Sequence, residues 1–486
     1  MTTISSLGVG SNLDLTTLLT QLQTAESQPL VDLQSKQTSY TTKLTAYGQL
    51  SNSLSGLQTA ATALSSLSLF QGVKAASSNT SVLSATSTST AVAGSYSINV
   101  TQLAQSQSLV SAGQASATTA IGNGSITIDF GSITGGTLDA TTGKYTGASF
   151  SQDTTRTATP ITIDSSNNTL QGIRDAINAA NAGVTASVVN DGSGTPQRLV
   201  LSSTQSGAAS SMRISVTGDA ALQSLLGNDP AGTQNLTQTV AGQDAKLTVN
   251  GIAVSSASNT VKEAIQGTTL NLLSLGASSV NLSTDTSSVS SAINSFVQAY
   301  NSLQSTATTL TAYDATTKTA AALTGDATLR TLQTQIRQAL NTPQTGGAND
   351  LKVLSEIGIS FQKDGTLAID STKLNTALTT NLSGVAKLFA SANGSTAGYG
   401  KQLSALVTNM TSSGGILQSA TDSVNTTLKQ LDTQYTAMSA RVDDTVARYR
   451  TQFQQLDVLM STMNNTMTYL TQQFNAMNNV STSSKK

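Results

Sequence analysis

The side chains that could do chemistry are few, because the 486 residues include neither Cys nor His. Without Cys the chain has no thiolate nucleophile, disulfide or zinc finger. Without His it lacks the base of Ser-His-Asp and Cys-His catalysis and the imidazole metal ligand. The 25 Asp and Glu residues are scattered, so no pair can be nominated for a surface hydrolase. The sequence therefore predicts no enzyme, no catalytic residue, no cofactor and no metal site.

A few short motifs resemble chemical sites, but each has a structural interpretation. Asp370-Ser371-Thr372 resembles an aspartic-protease loop without its second copy, and we interpret it as the end of a hairpin leading into a helix. Gly8-Val9-Gly10 lacks the third glycine of a dinucleotide loop, and we interpret it as a flexible terminus. Asp191-Gly192-Ser193-Gly194 lacks the spaced carboxylates of a calcium loop and predicts a turn. Asp444 and Arg448 predict a solvated helix pair.

The overall charge points away from nucleic acids and membranes. A net charge of −1 and 10% charged residues give no long-range field that would attract nucleic acid or an anionic lipid surface. No apolar run approaches the roughly 18 residues needed to span a bilayer. The first basic residue is Lys36, so the sequence does not predict a secretory signal peptide with a basic start. We expect either a cytoplasmic protein or one exported without a cleaved signal.

The C-terminal region is predicted to be one long helix. All five prolines precede residue 344 and the last glycine is Gly415, so the sequence from Ile416 to Lys486 contains neither helix breaker. Its apolar residues recur at spacings of four and three, and one 4-4 step at Met438, Val442 and Val446 interrupts the heptad as a stutter does. A stripe sustained over this many turns indicates a coiled coil or a helical bundle.

The N-terminal region carries a similar pattern. Leucines at positions 15, 18, 19 and 22 form one helical stripe behind Asp14, which is placed to cap the helix. Pro29 is predicted to break or kink this helix. A second stripe then runs from Tyr40 to Leu64. The two chain ends are therefore predicted to be elongated amphipathic helices that pack together.

The polar face of the C-terminal helix indicates assembly. From Thr451 to Val480 the only charged residue is Asp457, and the other polar residues are Gln, Asn, Thr and Ser. Such residues cost roughly 0.5 kcal/mol each relative to Ala in a helix, so we expect this helix to need extensive burial against other subunits. A bundle core within one subunit is the alternative. The predicted assembly seam comprises Leu15, Leu18, Leu19, Leu22, Val442, Val446, Tyr449, Phe453, Leu456, Met460, Met463, Met467, Leu470 and Phe474.

The interior of the chain is predicted to be β-rich. Alternating apolar residues predict strands around Ile98 and Ile128, and Asn250-Gly251 predicts a tight hairpin. A small second hairpin is predicted around Asp364-Gly365. The predicted fold class is α+β multidomain, with long terminal helices that form a coiled-coil or helical-bundle stalk and β-rich inserted head domains. The predicted domains are a terminal coiled-coil leg (1–38 and 440–486), a helical stalk domain with the small hairpin (39–75 and 284–439), a β-rich domain (76–112 and 236–283) and an inserted α+β head domain (113–235).

Several segments in this order resemble the bacterial flagellar filament cap family, also called the hook-associated capping proteins. The resemblance covers nearly the whole chain, and the order of the segments is more specific than any one segment alone. The segments that carry it are Ile4-Ser5-Ser6-Leu7-Gly8-Val9-Gly10-Ser11-Asn12-Leu13-Asp14, Gly94-Ser95-Tyr96-Ser97-Ile98-Asn99-Val100, Ile173-Arg174-Asp175-Ala176-Ile177-Asn178, Val249-Asn250-Gly251-Ile252, Leu323-Thr324-Gly325-Asp326, Ile357-Gly358-Ile359 and residues 449–474. The third of them is similar to an inserted module shared with flagellins.

The resemblance implies a non-enzymatic assembly factor. A protein of this family would be exported through the flagellar secretion channel and would form a cap at the distal tip of the filament, outside the cell. The implied partners are other copies of the chain, in a homo-oligomeric ring of about five or six copies, together with flagellin, a hook–filament junction protein and an export chaperone that binds the C-terminal region. The cap would promote the folding and insertion of exported flagellin and prevent its loss.

One other function class stays open from the sequence. The β-rich domains could bind mucin or glycan, as in a surface adhesin, and this would be either an alternative to capping or a second role. It predicts that the isolated β region, about residues 76–283, binds glycan.

Overall fold

The computed structural model describes residues 14–344, 350–391 and 397–483, with side chains up to residue 477. It forms two compact units. The helical unit takes its residues from 1–70 and 286–486, and the β unit consists of residues 71–285. The glycine motif at residues 8–10 and the family-like segment before Asp14 lie outside the described residues. The predicted α+β multidomain fold class is confirmed, with long terminal helices and β-rich inserted structure.

Helices come from both units. In chain order they are α1 (Leu15–Leu64), α2 (Leu67–Phe70), α3 (Leu170–Ala179), α4 (Ala220–Leu226), α5 (Thr286–Thr311), α6 (Ala327–Asn341), α7 (Ser371–Thr380), α8 (Leu382–Ala390), α9 (Tyr399–Thr411) and α10 (Ile416–Ser483). Among them α3 and α4 belong to the β unit.

Strands fill most of the β unit. In chain order they are β1 (Val73–Ser77), β2 (Leu83–Ser87), β3 (Gly94–Gln102), β4 (Ser108–Val110), β5 (Gly124–Asp139), β6 (Lys144–Gln152), β7 (Pro160–Ile163), β8 (Val184–Asn190), β9 (Gln197–Ser203), β10 (Ser211–Gly218), β11 (Thr237–Val240), β12 (Ala245–Val249), β13 (Ile252–Ser256), β14 (Thr260–Ile265), β15 (Thr268–Leu272), β16 (Gly276–Thr284), β17 (Tyr313–Asp314), β18 (Thr319–Ala320), β19 (Ile359–Phe361) and β20 (Leu367–Ile369). The last four form two small hairpins in the helical unit.

The core of the helical unit lies around the second half of α1. The stripe predicted there is buried, including Leu50, Leu54 and Leu57, and it packs with α5, α9 and the start of α10. Aromatic rings complete the core, since Phe389 meets both Phe296 and Tyr399 in edge-to-face contacts. Buried aliphatic and aromatic side chains from α1 to α10 contribute to this core, which is continuous.

The long C-terminal helix is confirmed. It begins at Ile416, directly after Gly415, and runs through Ser483 as a single helix of 68 residues. The absence of Gly and Pro from this stretch removes the residues that most disfavour a helix interior.

Of the break or kink predicted at Pro29, the break is wrong. Helix α1 is continuous for 50 residues with Pro29 inside it, although the ring removes one backbone donor and crowds the carbonyl of residue 25. A cleft of about 470 Å³ adjoins the proline, lined also by Leu33, Met438 and Arg441. Helices α1 and α10 pack against each other, and burial of this kind can offset the penalty of a proline in a helix interior.

The β unit contains two hydrophobic cores. The five-stranded sheet β1-β16-β3-β12-β13 and the sheet β14-β15-β2 enclose one, and β10-β5-β6, β11-β4-β9-β8, α3 and α4 enclose the other. The hairpin predicted at Asn250-Gly251 is confirmed, because β12 and β13 pair Val249 with Ile252 and both turn residues have positive φ angles. The predicted boundary between residues 75 and 76 falls inside β1, which pairs with β16 along its whole length.

Candidate assembly surface

Two helices of the helical unit form a leg, defined here as the described residues of 14–38 and 440–477. The Tyr449 hydroxyl donates a hydrogen bond to Glu26 Oε1 at 3.2 Å. Further along, Pro29 and Leu33 face Met438 and Arg441 across the cleft. Residue numbers rise in α1 as they fall in α10, so the two helices run antiparallel.

Local capping positions the start of the leg. Asp14 precedes α1, and its Oδ1 accepts a hydrogen bond from the Thr17 amide at 3.0 Å. The hydrogen bonds from Thr17 hold the pKa of Asp14 below its ordinary value. This arrangement satisfies one of the free amides of the first turn and fixes where the described helix begins.

The first half of the predicted seam is paired within one chain. Leu15, Leu19 and Val442 are buried, and Leu15 is only 3% exposed. Half-buried side chains continue the contact, namely Leu22, Val446, Tyr449, Phe453 and Met460. Leu18 differs, since it belongs to the same predicted stripe but lies 43% exposed on the outer side of α1.

The second half of the predicted seam is exposed in the part of the chain that the structure describes. Leu15 is eleven residues before Glu26, and eleven residues after Tyr449 is Met460, so α1 begins opposite Met460. Beyond that point α10 continues, and Met467 and Phe474 are 65% and 64% exposed. Met463 and Leu470 in this part are also exposed, as is Leu456, four residues before Met460. We call residues 456–477 of α10 the tip.

Four exposed large apolar residues of the tip were not part of the predicted seam, namely Val458, Leu459, Tyr469 and Met477. Leu459 lies within one turn of Leu456 and Met463 and widens the same face. Val458 and Tyr469 are eleven residues apart, which is three helical turns, and they share the opposite face. For Val458 and Tyr469 the signal available in the sequence was their apolar type alone, because their spacing does not match the heptad stripe.

The tip is also poor in charge. Asp457 is its only ionisable acid or base apart from the phenol of Tyr469, and the other polar side chains are Asn, Gln, Ser and Thr. Threonine hydroxyls bond back to the carbonyl four residues earlier, as Thr466 does to Thr462 at 2.9 Å. The tip therefore presents an apolar stripe framed by uncharged groups whose hydroxyls are partly satisfied within the helix.

A partly buried ion pair ties α1 to the rest of the helical unit. Asp326 caps α6 by accepting from the Leu329 amide at 3.1 Å, and its Oδ2 lies 2.8 Å from Lys43 Nζ and 2.8 Å from the Tyr47 hydroxyl. Burial of Asp326 acts to raise its pKa, but the hydrogen bonds from Lys43, Leu329 and Tyr47 outweigh it, so the pKa is lowered. The hydrogen bond to Asp326 raises the pKa of Lys43.

The chemical motifs singled out in the sequence have structural roles. Asp370 caps α7 by accepting from the amides of Thr372 and Lys373, which confirms the hairpin-to-helix interpretation. Asp191 lies in the turn between β8 and β9, where hydrogen bonds from Arg198 and Ser193 lower its pKa to about 2.

The C-terminal helix lacks the ion pair that was predicted on its surface. The predicted pair of Asp444 with Arg448 is wrong, since Arg448 instead donates to Thr445 Oγ1 at 3.1 Å within the same turn. In the part of the chain that the structure describes, His, Cys, Asp and Glu form no group of three that could hold a metal ion. No helix of the described residues combines the length and hydropathy of a membrane span.

Comparisons with known proteins give one consistent family. Models of the N-terminal and C-terminal parts of flagellar hook-associated protein 2 match residues 11–107 and 242–465, and the flagellin hook IN motif matches residues 137–205. Flagellar hook-associated protein 2 of Escherichia coli K12 is 41% identical over 490 residues, covering 98% of both chains. The Salmonella typhimurium protein of that name is 40% identical over 489 residues, covering 98% of this chain and all of the relative.

A solved structure agrees with these sequence matches. The crystal structure of the D1-D2-D3 domains of the flagellar cap protein FliD from Escherichia coli superimposes with a TM-score of 0.62 at 38% sequence identity. The superposition covers 78% of this chain and 99% of the chain in that crystal structure.

Proposed function

Because the chain belongs to the flagellar hook-associated protein 2 family, and is thus a flagellar filament cap protein, we propose that its tip contacts the other subunits of the assembly. The protein acts at the flagellum. The finer proposal is that the cap sits outside the cell at the distal end of the filament. The adhesin alternative is not supported, since the matched relatives are hook-associated and cap proteins.

The observation that carries the proposal is the uncovered half of the seam. Met463, Met467 and Phe474 continue the stripe that α1 covers further back, but in the described chain they face solvent. Burial of such side chains contributes about 1.5–3 kcal/mol each when it is complete. Contact with other subunits would therefore stabilise both the tip and the assembly.

The low charge of the tip suits repeated, non-identical contacts. A ring of copies on a helical lattice cannot offer the same contact at every subunit. Methionine side chains are flexible and adapt to irregular surfaces, and uncharged neighbours avoid repulsion between copies. We propose that these properties let the tip contact flagellin at changing positions while the fold of the helical unit stays fixed.

The remaining partners are proposals of the same kind. They are a homo-oligomer of about five or six copies, flagellin, a hook–filament junction protein, and an export chaperone that binds the C-terminal region. We further propose that the chain has no catalytic role, does not bind nucleic acid and does not insert into membranes. The net charge of −1 supports the second of these proposals.

Substitution of the exposed stripe tests the proposal. The test variant carries Met463→Gln, Met467→Gln and Leu470→Gln, and the matched control carries Val458→Gln and Tyr469→Gln on the opposite face. Filament growth from exported flagellin is measured in cells that lack the native cap protein. We expect the stripe variant to lose filament growth with an unchanged far-UV circular dichroism spectrum, and the control to retain most of it. Normal filaments with the stripe variant would overturn the proposal.

A further inference from the structure

Methionines are concentrated at and beyond the point where the cover by α1 ends. Four of the eight methionines of the chain, Met460, Met463, Met467 and Met477, lie within 18 residues of one another. Met463, Met467 and Met477 are 53%, 65% and 65% exposed. Two others provide internal references, because Met212 in β10 and Met410 in α9 are 0% and 2% exposed.

We propose that Met463, Met467 and Met477 form a peroxide-sensitive modification site that controls whether the tip can assemble. This inference rests on the proposed function, because it takes the tip as the contact surface. Susceptibility to oxidation follows exposure of the sulfur, and the three thioethers are open to solvent in the free chain. With no Cys in the sequence, no thiol competes with them for the oxidant.

The chemical step is a two-electron oxygen transfer from hydrogen peroxide. The thioether sulfur attacks one peroxide oxygen, an S–O bond forms as the O–O bond breaks, and the product is methionine sulfoxide. Sulfur is oxidised, and the peroxide is reduced to one molecule of water. No residue of the chain has to supply a proton overall, since both peroxide hydrogens leave in that water.

The product changes the surface without changing the fold. A sulfoxide is a polar acceptor, so at Met467 it would introduce into the apolar stripe a group that needs a hydrogen-bond partner on burial. The tip lies outside the core of the helical unit, whose buried residues on α10 are Leu417 and Val424. Oxidation therefore weakens association, whereas the helical and β units stay folded.

The first measurement is the rate of oxidation at each methionine. The full-length chain is treated with dilute hydrogen peroxide, and sulfoxide is quantified on proteolytic peptides by mass spectrometry. We expect Met463, Met467 and Met477 to oxidise at least about tenfold faster than Met212 and Met410, because the latter are shielded by the core. Equal rates at exposed and buried positions would overturn the inference.

The second measurement links oxidation to assembly. Treated and untreated protein is added to filaments that lack a cap, and tip occupancy is counted by electron microscopy. A variant with Met463→Leu, Met467→Leu and Met477→Leu keeps the stripe apolar but cannot form sulfoxide there. We expect peroxide to reduce tip occupancy of the native chain at least about fivefold and to leave the leucine variant nearly unaffected.

The outcomes separate this inference from the proposed function. If peroxide leaves the occupancy of the native chain unchanged while the Met463→Gln, Met467→Gln and Leu470→Gln variant loses it, the oxidation site is wrong and the assembly role of the tip stands. If that glutamine variant still caps filaments, the proposed function itself fails. An equal loss in the leucine variant would place the damage elsewhere and would also overturn the inference.

Discussion

The second half of α1 and the tip of α10 have the same kind of apolar pattern and opposite surroundings. Residues 46–64 of α1 present Leu50, Leu54 and Leu57 at spacings of three and four, and all three are buried under α5, α9 and α10. The tip presents Met463, Met467 and Leu470 at the same spacings, and all three are exposed.

The comparison shows that periodicity identifies a face but not its partner. Both segments are helical with an apolar stripe, so sequence alone assigns them the same tendency to be buried. Among the described residues, only the first is covered by neighbouring helices. We propose that other molecules cover the second, so that the same kind of stripe stabilises the fold in one place and supports assembly in the other.

The largest expected effect comes from the buried side of the comparison. Leu54→Ala leaves a cavity in the core of the helical unit, and we expect a loss of about 2–5 kcal/mol in the free energy of unfolding. Hydrogen exchange of α5 and α9 amides measures this loss within the helical unit. A loss below about 1 kcal/mol would mean that this stripe is less tightly packed than its burial indicates.

Replacement of Pro29 tests the segment of α1 between its buried second half and its beginning at Leu15. Pro29→Ala restores a backbone donor in the interior of α1, and we expect the α1 amides around it to become more protected, by up to about 3 kcal/mol. Hydrogen exchange of residues 22–36 is the measurement. Unchanged or weaker protection would show that the cleft and the contacts with α10, rather than the proline, set the stability of this segment.

Replacement of Asp326 tests the ion pair between α1 and the beginning of α6. Asp326→Asn removes the charge that faces Lys43, and we expect a loss of about 1–3 kcal/mol near neutral pH. Because folding lowers the pKa of Asp326, its stabilising contribution is present above the ordinary Asp pKa and disappears as the pH falls through the folded value. Denaturant unfolding of both proteins at neutral pH and at about pH 2 should show the difference shrinking. A constant difference would contradict this account.

The raised pKa of Lys43 gives the same pair a limit at alkaline pH. Its contribution is fully present below the ordinary Lys pKa and is lost as the pH rises through the folded value. The difference between the native chain and Asp326→Asn should therefore also decrease at strongly alkaline pH.

The smallest effect on stability is expected at the tip. Met467→Ser removes an exposed side chain, so the free energy of unfolding should change by less than about 0.5 kcal/mol. Thermal unfolding in dilute solution measures this. A larger loss would show that the tip is already packed in the free chain and would remove the contrast with Leu54.

Much of the fold was predictable because its signals are local. The absence of Gly and Pro after Gly415 predicted α10. The pair Asn250-Gly251 predicted the β12–β13 hairpin, because both residue types tolerate the positive φ angles that such a turn needs. The continuity of α1 through Pro29 was not predictable from the local sequence, because packing of α1 against α10 is a long-range property. The small hairpin at Tyr313 was not predicted, since its strands are two residues long and carry no alternation.

The candidate surface was only partly predictable, because exposure depends on what lies opposite. Leu15 and Met467 were assigned to one seam, and nothing in their spacing separates the buried residue from the exposed one. The register between α1 and α10, fixed by contacts such as Glu26 with Tyr449, decides where cover ends. That register is a long-range property that a single stripe does not encode.

The central claim is that the tip is open in the free chain and covered in the cap. Because the sequence has no Cys, a single Met467→Cys substitution allows selective thiol labelling, with Val407→Cys as the buried reference. The labelling rate is measured for the free protein and for the cap on filament ends. The account predicts rapid labelling at position 467 in the free chain and strong protection on filaments. Equal rates in both states, or protection already in the free chain, would contradict it.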